Sequence, residues 1–228
     1  MKISILMPVY NELRTIADVL ELVKAVPLEK EIIVVDDFSR DGTREFLKEK
    51  FGNGGGDTKV IYHDRNKGKG AALRTALENA TGEYIIVQDA DMEYSPQDMV
   101  LLAKAAEETG AGAVYGSRFL KTWRSTSFLH YSVNRFLTFL TNVLFGASLT
   151  DMETCYKMVR TDLLRKLDIK AKRFEFEPEV TAKLLKEGVK IREVPVFYRG
   201  RSYNEGKKIG WRDGLEAVQI LVRLKFSK

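Results

Sequence analysis

The feature that most narrows the folds open to this chain is an alternation of two hydrophobic patterns. In the first half, short and nearly continuous apolar runs take turns with stretches that are apolar on one helical face. The runs are Ile3–Val9, Ile32–Val35, Val60–Tyr62, Tyr84–Val87 and Ala113–Tyr115. A strand with no polar alternation is one covered on both faces. Between the first two runs, Ile16, Val19, Leu20 and Val23 follow the i, i+3, i+4, i+7 spacing of an amphipathic helix. Further helices are predicted from an Asp41 cap to about Phe51, over Ala71–Ala80 with Gly82 beyond it, and over Pro96–Thr109. This β-α-β-α order predicts an α/β fold, with a Rossmann-like, mostly parallel central sheet and helices on both faces.

The second half is less regular. It reads as a long apolar helix near Ser127–Leu144, a segment DMETCYKMVR, a helix around Pro178–Lys186, a strand at Ile191–Tyr198 and a last helix over Gly214–Leu224. No internal repeat is visible, and GNGGGD at 52–57 reads as a flexible connection rather than a phosphate cradle. At 228 residues, 44% apolar and 30% charged, the chain is long enough to bury a full core as one soluble domain. The net charge of +5 suits an anionic ligand or a membrane surface, and serves solubility equally well. Cys155 is the only cysteine, so no disulfide framework exists and a reducing compartment is expected. Met1-Lys2 leads straight into a strand-like run broken by Pro8, which is not a leader pattern. No apolar stretch approaches the ~20 residues of a spanning helix, so a soluble or peripheral chain is expected.

In parallel sheets ligands collect at the carboxyl ends of the strands. Those ends carry Tyr10-Asn11-Glu12, Asp36-Asp37, His63-Asp64 and Asp89-Ala90-Asp91. The last lies in QDADMEYSP, where two carboxylates stand one residue apart with Glu93 close behind. Like charges that near each other raise one another's pKa unless a cation sits between them. Oxygen ligands of this kind suit Mg²⁺ or Mn²⁺, and the simpler alternative is a polar turn capping the next helix. The position after a buried strand, beside Asp36-Asp37, favours the metal. Asp41 has a structural role as a cap, whereas Asp37 is available to accept hydrogen bonds from a base or ribose. Tyr10 suits stacking on a base or simple half-burial. RNKGKG at 65–70 resembles an anion nest without P-loop spacing. YRGRSYNEGKKIG brings Arg199, Arg201, Lys207 and Lys208 into one glycine-containing loop, charge that a departing diphosphate needs and a solvated face also shows.

Taken in order, PVYNE, VVDDFSRDGT, RNKGKGAALRTAL, QDADMEYSP, GSRF, DMETCYKMVR and YRGRSYNEGKKIG resemble the family 2 glycosyltransferases of the GT-A fold. Within that family the likeness is to the dolichyl- and polyprenyl-phosphate sugar transferases, such as dolichol-phosphate mannose synthases. The resemblance implies one GT-A domain over 1–228, with a nucleotide-sugar-binding half at 1–117 and an acceptor-binding half at 118–228. It implies that Pro8, Tyr10, Glu12 and Asp37 contact the nucleotide, and that Asp89, Ala90 and Asp91 line the diphosphate. Asp91 would be the surest ligand of a Mg²⁺ or Mn²⁺ cofactor, with Asp89 and Glu93 as further metal ligands. Arg118 would face the donor or acceptor phosphate and share the catalytic role with Asp91. Arg201 and Lys207 would close over the donor diphosphate. The implied partners are a nucleotide-sugar of the GDP-mannose or UDP-glucose type and a polyprenyl phosphate, joined with inversion at the cytoplasmic membrane face, with no nucleic acid.

Two departures from the family pattern stand out. Many relatives carry transmembrane helices after the catalytic domain, and DMETCYK differs from the glycine-phenylalanine version of mannose synthases, which leaves the donor sugar open. A rival reading is a transferase to a saccharide hydroxyl, which needs a base, with Asp151 or Glu153 as candidates. A sugar nucleotidyltransferase would carry a glycine-rich loop near its start, and PVYNELRT has none. A non-catalytic nucleotide-sugar-binding module would not need intact acids at 37, 89 and 91. The helix near Ser127–Leu144 suggests a route to the membrane. Leu129, Val133, Phe136, Leu140 and Val143 read as its core stripe, broadened by Phe128, Tyr131, Leu137, Phe139 and Leu144 and interrupted by Asn134, Arg135 and Asn142. Such a helix is either buried on most sides or lies at a lipid interface.

Overall fold

A computed structural model describes residues 1–52, 54–120, 128–200 and 211–227. In chain order its elements are β1 (Ile3–Val9), α1 (Ile16–Lys24), β2 (Lys30–Asp36), α2 (Thr43–Phe51), β3 (Gly54–Gly55), β4 (Thr58–Tyr62), α3 (Lys69–Glu78) and β5 (Tyr84–Val87). A 3-10 turn (Pro96–Asp98) follows, then α4 (Met99–Thr109), β6 (Ala113–Ser117), α5 (Phe128–Phe145), β7 (Lys157–Arg160), α6 (Thr161–Lys166), α7 (Phe176–Lys186), β8 (Ile191–Pro195) and α8 (Trp211–Phe226).

The eight strands form one sheet in the order β3-β4-β2-β1-β5-β7-β6-β8. β4, β2, β1 and β5 run parallel, with Ile5 opposite Ile32 on one side and Ile86 on the other. In β1, β5 and the Ile32–Asp36 part of β2 nearly all side chains are buried on both faces, so these apolar runs need no alternation, whereas edge-side β4 leaves Lys59 exposed. β7 then enters antiparallel between β5 and β6, and β8 closes the edge parallel to β6.

Three strands differ from the sequence expectation, and α6 is a short helix that it did not include. β3 arises inside the glycine loop, where a short antiparallel pairing with β4 needs only backbone. β7 lies in DMETCYKMVR and begins with a buried Lys157, whose charge breaks the apolar run that would have announced a strand. Its ammonium donates to the carbonyls of Met152 and Thr154 and sits 4.5 Å from the centre of the Tyr115 ring. β8 ends at Pro195, and the chain continues by single contacts: Val196 N–H donates to Ser117 O at 3.1 Å, and Tyr198 bridges to Tyr94.

The inward face of α5 is also not the one its apolar spacing suggests. Val133, Phe136, Phe139 and Val143 are exposed, whereas Leu137, Thr138 and Thr141 are buried. The threonines go inward because their hydroxyls have partners there. Thr138 Oγ1 accepts the Met152 N–H at 3.0 Å, and Thr141 Oγ1 donates back to Leu137 O at 2.9 Å. Leu137 joins Met152, Ala182, Ala217, Ile220, Leu221 and Leu224 in a small second core between α5, α7 and α8. Among the described residues no helix is long and apolar enough to cross a membrane.

Candidate active site

The carboxyl ends of β1, β2 and β5 open into a cleft of about 630 Å³. Pro8, Val9, Tyr10 and Glu12 line it after β1, Asp37 after β2, and Asp89, Ala90, Asp91 and Glu93 after β5. Asn66, Lys67, Gly68 and Lys69 add the start of α3. Arg118, Asn134, Glu153, Lys172, Arg173, Phe174 and Tyr198 form the far wall. Of the strand-end residues singled out in the sequence, Pro8, Tyr10, Glu12, Asp37, Asp89, Ala90, Asp91 and Glu93 therefore reach one volume with Arg118, whereas Asn11, Asp36, His63 and Asp64 do not line it. Arg201 and Lys207 lie outside the described residues.

The loops after β1 and β2 brace each other. Asn11 N–H donates to Ser39 Oγ at 2.9 Å, Glu12 N–H to Thr43 Oγ1 at 3.0 Å and Leu13 N–H to Asp41 Oδ2 at 3.1 Å. The N-cap of α2 is Gly42 rather than the expected Asp41, which stands one residue before it and accepts the Thr43 N–H on Oδ1 at 3.0 Å. Asp37 is nearly buried and already engaged. Its carboxylate accepts the N–H groups of Lys67 at 2.8 Å and Gly68 at 2.7 Å and meets His63 Nδ1 at 2.7 Å. The anion in the RNKGKG nest is thus the protein's own. Asp37 reaches the cleft as the group that holds the 65–70 loop in shape.

That loop also explains residues the sequence did not reveal. Gly68 has φ +93°, and a side chain there would run into the Lys172 carbonyl, while a Cβ on Gly70 would stand 2.7 Å from Ala171 O. Ala71 N–H donates to Lys172 O at 3.2 Å. Glu175 holds the N–H groups of Lys172 and Arg173 at 2.7 and 3.0 Å. Two glycines therefore admit residues 171–173 against the start of α3, and this places Lys172 and Arg173 on the cleft.

Asp89 is answered by Lys69, the first residue of α3. The ammonium lies 2.9 and 3.1 Å from the two Asp89 oxygens and 3.0 Å from Glu177 Oε1 on α7. Burial alone would lower the pKa of Lys69, but Asp89, with Cys155 and Glu177 beside it, holds it well above the ordinary lysine value. Asp91 accepts the Glu93 N–H at 3.1 Å, and Glu93 Oε2 accepts the Tyr198 hydroxyl at 2.9 Å. Among the described residues no three His, Cys, Asp or Glu side chains gather closely enough to hold a metal ion by themselves. Asp89, Asp91 and Glu93 all line the cleft, and Asp89 has Lys69 as its countercharge. The donor chemistry fits a hard cation held by one or two carboxylates, Asp91 foremost, with the remaining oxygens from a diphosphate.

On the far wall, Arg118 and Asp151 form a forked pair. Nε and Nη2 each lie 2.7 Å from a carboxylate oxygen, and the Arg118 N–H donates to the same group at 2.9 Å. Burial would lower the Arg118 pKa, yet Asp151 keeps it well above its ordinary value. Asp151 has no exposed surface and both oxygens taken, so it does not fit the part of a base. Its neighbour Glu153 is the opposite case. Its Oε1 is closed off from solvent and has no hydrogen-bond partner among the described residues. Burial first, then Glu177, pushes its pKa up to about 7, against the pull of Lys157 and Arg118.

The family profile for glycosyl transferase family 2 matches residues 4–168. The chain belongs to that family. It is 30% identical over 92% of its length to the low-salt glycan biosynthesis hexosyltransferase of Haloferax volcanii, of which it spans 51%, about half. It is 29% identical, over all of its length and 92% of the relative's, to an uncharacterized protein of Methanocaldococcus jannaschii. With the undecaprenyl-phosphate mannosyltransferase of Micrococcus luteus it shares 25% identity, over 96% of this chain and 93% of the relative. Among solved structures, glucosyl-3-phosphoglycerate synthase from Mycobacterium tuberculosis, in complex with Mn²⁺, uridine diphosphate and phosphoglyceric acid, superposes with a TM-score of 0.73 at 18% identity. The match covers 100% of this chain and 79% of that one. TarS 1–349 of S. aureus, in complex with UDP-GlcNAc, gives 0.65 at 20% identity, over 98% of this chain and 66% of that one. At such identities the likeness shows the fold, which is GT-A.

For a family 2 glycosyltransferase of this fold, the donor-side acids lay within reach of sequence reasoning because each follows a strand end. Lys69 was visible only as one of several cations in RNKGKG. Nothing local marked Lys172, Arg173, Asn134 or Tyr198. The pairing of small residues at Gly68 and Gly70 was the available signal, since glycines inside a helix start point to close backbone approach.

Proposed function

We propose that this glycosyltransferase moves a sugar, with inversion, from a nucleotide-diphosphate sugar to a polyprenyl phosphate. The observation that carries this reading is the charge layout of the cleft. Asp91 and Glu93 stand on one side, and Lys67, Lys172, Arg173 and Arg118 line the same volume. An acid pair facing several cations suits a ligand with two phosphate-bearing parts and one cation. Similarity to an undecaprenyl-phosphate mannosyltransferase over nearly the whole of both chains supports the lipid-phosphate acceptor.

In this reading residues 1–117 supply the donor half and 118–228 the acceptor half of one domain. Pro8, Tyr10 and Glu12 border the nucleotide. Asp37 shapes the loop beneath it, and Asp89, neutralised by Lys69, shapes the diphosphate end. Asp91, with Glu93 beside it, holds Mg²⁺ or Mn²⁺, which when bound supplies Lewis-acid charge to the leaving diphosphate. Arg118, stiffened by Asp151, presents its remaining N–H groups to a phosphate, and Arg201 and Lys207 add charge over the donor. A phosphate monoester is already close to a dianion at neutral pH, its second pKa being about 6, so this acceptor needs no general base. In this reading the exposed Phe136, Phe139 and Val143 of α5 face lipid, which supports a peripheral position at the cytoplasmic membrane face.

One observation favours a second reading. Glu153, which lines the cleft and has one oxygen without a partner among the described residues, has the makings of a base for a saccharide hydroxyl. A donor screen decides. UDP- and GDP-sugars are incubated with Mn²⁺ or Mg²⁺, and nucleoside diphosphate release is read with and without a short polyprenyl phosphate. Release stimulated by the lipid phosphate, with sugar recovered in the organic phase, is expected. Stimulation by saccharides alone supports the second reading, and no turnover with any donor leaves a binding module.

A further inference from the structure

We propose that Glu153 works as a neutral carboxylic acid that donates a hydrogen bond to the acceptor phosphate, rather than as a base. The inference rests on the phosphate-acceptor reading and starts from Glu153, a half-buried side chain that lines the cleft and whose Oε1 is closed off from solvent with no partner among the described residues.

The surroundings of Glu153 argue for the neutral form. Four elements bring charge to it: Arg118 after β6, Asp151 before β7, Lys157 on β7 and Glu177 on α7. Arg118 and Asp151 consume each other in the forked pair. Glu177 shares Lys69 with Asp89. Lys157 turns its N–H groups to the carbonyls of Met152 and Thr154 and its charge to the Tyr115 ring. Three cations thus face four carboxyl groups, so an ionised Glu153 would leave one negative charge unmatched. A carboxylate oxygen shut away from water without a donor is costly, whereas in the protonated acid Oε1 is a neutral carbonyl oxygen and the other oxygen carries an O–H that needs only an acceptor. The burial-raised pKa near 7 is in keeping with this.

The cleft offers that O–H one ligand chemistry above others. A phosphate dianion drawn in by Arg118 would be repelled by an ionised Glu153 and would accept a hydrogen bond from a neutral one. No proton changes hands in the transfer. A phosphate oxygen forms the bond to the anomeric carbon, the bond from that carbon to the donor diphosphate breaks, and its electron pair leaves with the nucleoside diphosphate. Glu153 keeps its proton throughout.

The test compares transfer to polyprenyl phosphate by the wild type, Glu153→Gln and Glu153→Ala between pH 7 and 9, where the acceptor stays a dianion. Nucleoside diphosphate affinity serves as the control for donor binding. In the wild type the rate should fall with rising pH, approaching tenfold per unit well above the Glu153 pKa. Glu153→Gln keeps a donor but no proton to lose, so it should lose about 3–10-fold at pH 7 and show a flat profile. Glu153→Ala should lose about 10–100-fold, the range for a hydrogen bond to a charged partner. A Gln variant that loses activity as completely as Ala, with a wild-type rate that rises through pH 7, would mark Glu153 as a base and overturn the inference. Should Glu153→Gln not unfold cooperatively, the wild-type profile decides alone, a falling rate supporting the inference and a flat or rising one overturning it. Transfer to saccharides with none to the lipid phosphate would remove the phosphate-acceptor reading and this inference together. Lipid-phosphate transfer with a base-like Glu153 would remove only the inference.

Discussion

The donor side and the far wall of the cleft handle buried charge in different ways. On the donor side charges are answered locally and by backbone: Asp37 takes two amide N–H groups, Asp41 closes on Thr43 and Leu13, and Asp89 sits on the first residue of the adjoining helix. On the far wall, charges from β6, β7 and α7 are stacked against one another, Arg118 on Asp151 and Lys157 near Glu177, with Glu153 left over. The first arrangement makes a braced receptor in which each of these acids has its partner close at hand. The second makes a region whose protonation can change, because burial and like charge push Glu153 up to about 7, and burial takes Lys157 down to about 8 against the pull of Glu177 and Glu153. Binding asks for the former, and control of an incoming nucleophile asks for the latter.

Substitutions can break this contrast, beginning with the largest expected loss. Arg118→Ala leaves Asp151 buried and alone, which should cost about 3–5 kcal/mol of stability by denaturant unfolding. Restoring most of that loss in Arg118→Ala/Asp151→Asn would show that the penalty is the stranded charge. Asp37→Ala on the donor side removes an acceptor from two amides and should cost about 1–3 kcal/mol, with weaker nucleotide binding. Equal losses at Asp37 and Arg118 would erase the contrast.

Glu153 sharpens it through pH. Its pKa in the fold, about 7, lies above the ordinary value of 4.5, so the folded chain holds this proton more tightly than the unfolded one. That contribution is fully present below about pH 4.5 and is lost as pH rises through 7. Glu153→Gln should therefore raise the unfolding free energy relative to wild type at pH 8 by about 1–3 kcal/mol, and by little at pH 5. An equal shift at both pH values would mean that Glu153 is not perturbed. The smallest effect concerns α5. Phe139→Asp should change stability by no more than about 0.5 kcal/mol, since the ring is 64% exposed, while co-sedimentation with anionic liposomes weakens. Loss of cooperative folding instead would place Phe139 in a packed interface.

The same contrast marks what was legible in the sequence. The donor side follows from local rules: an apolar run makes a strand, and the polar residues just past it reach the edge, as with Tyr10, Asp37 and Asp91. The far wall depends on long-range choices without local signature. β7 inserts antiparallel between β5 and β6 although it opens on Lys157, and Lys172 and Arg173 arrive because Gly68 and Gly70 leave room. α5 turned its threonines inward because Met152 and the helix backbone supplied hydrogen-bond partners, which a hydrophobicity pattern does not record. The countercharge of Asp89 was illegible for the same reason, since it comes from Lys69 on a different element.

The claim on which the rest depends is that this cleft takes a nucleoside diphosphate together with a divalent cation at Asp91. Calorimetric titration of UDP and GDP into the protein, with Mn²⁺ and then with chelator, tests it most directly when repeated on Asp91→Asn. The expected result is saturable binding of one of the two nucleotides that weakens by about 10-fold or more when the metal is withdrawn, with the variant binding at the chelated level either way. Binding that is equally tight with and without metal in both proteins, or no binding of either nucleotide, would contradict it.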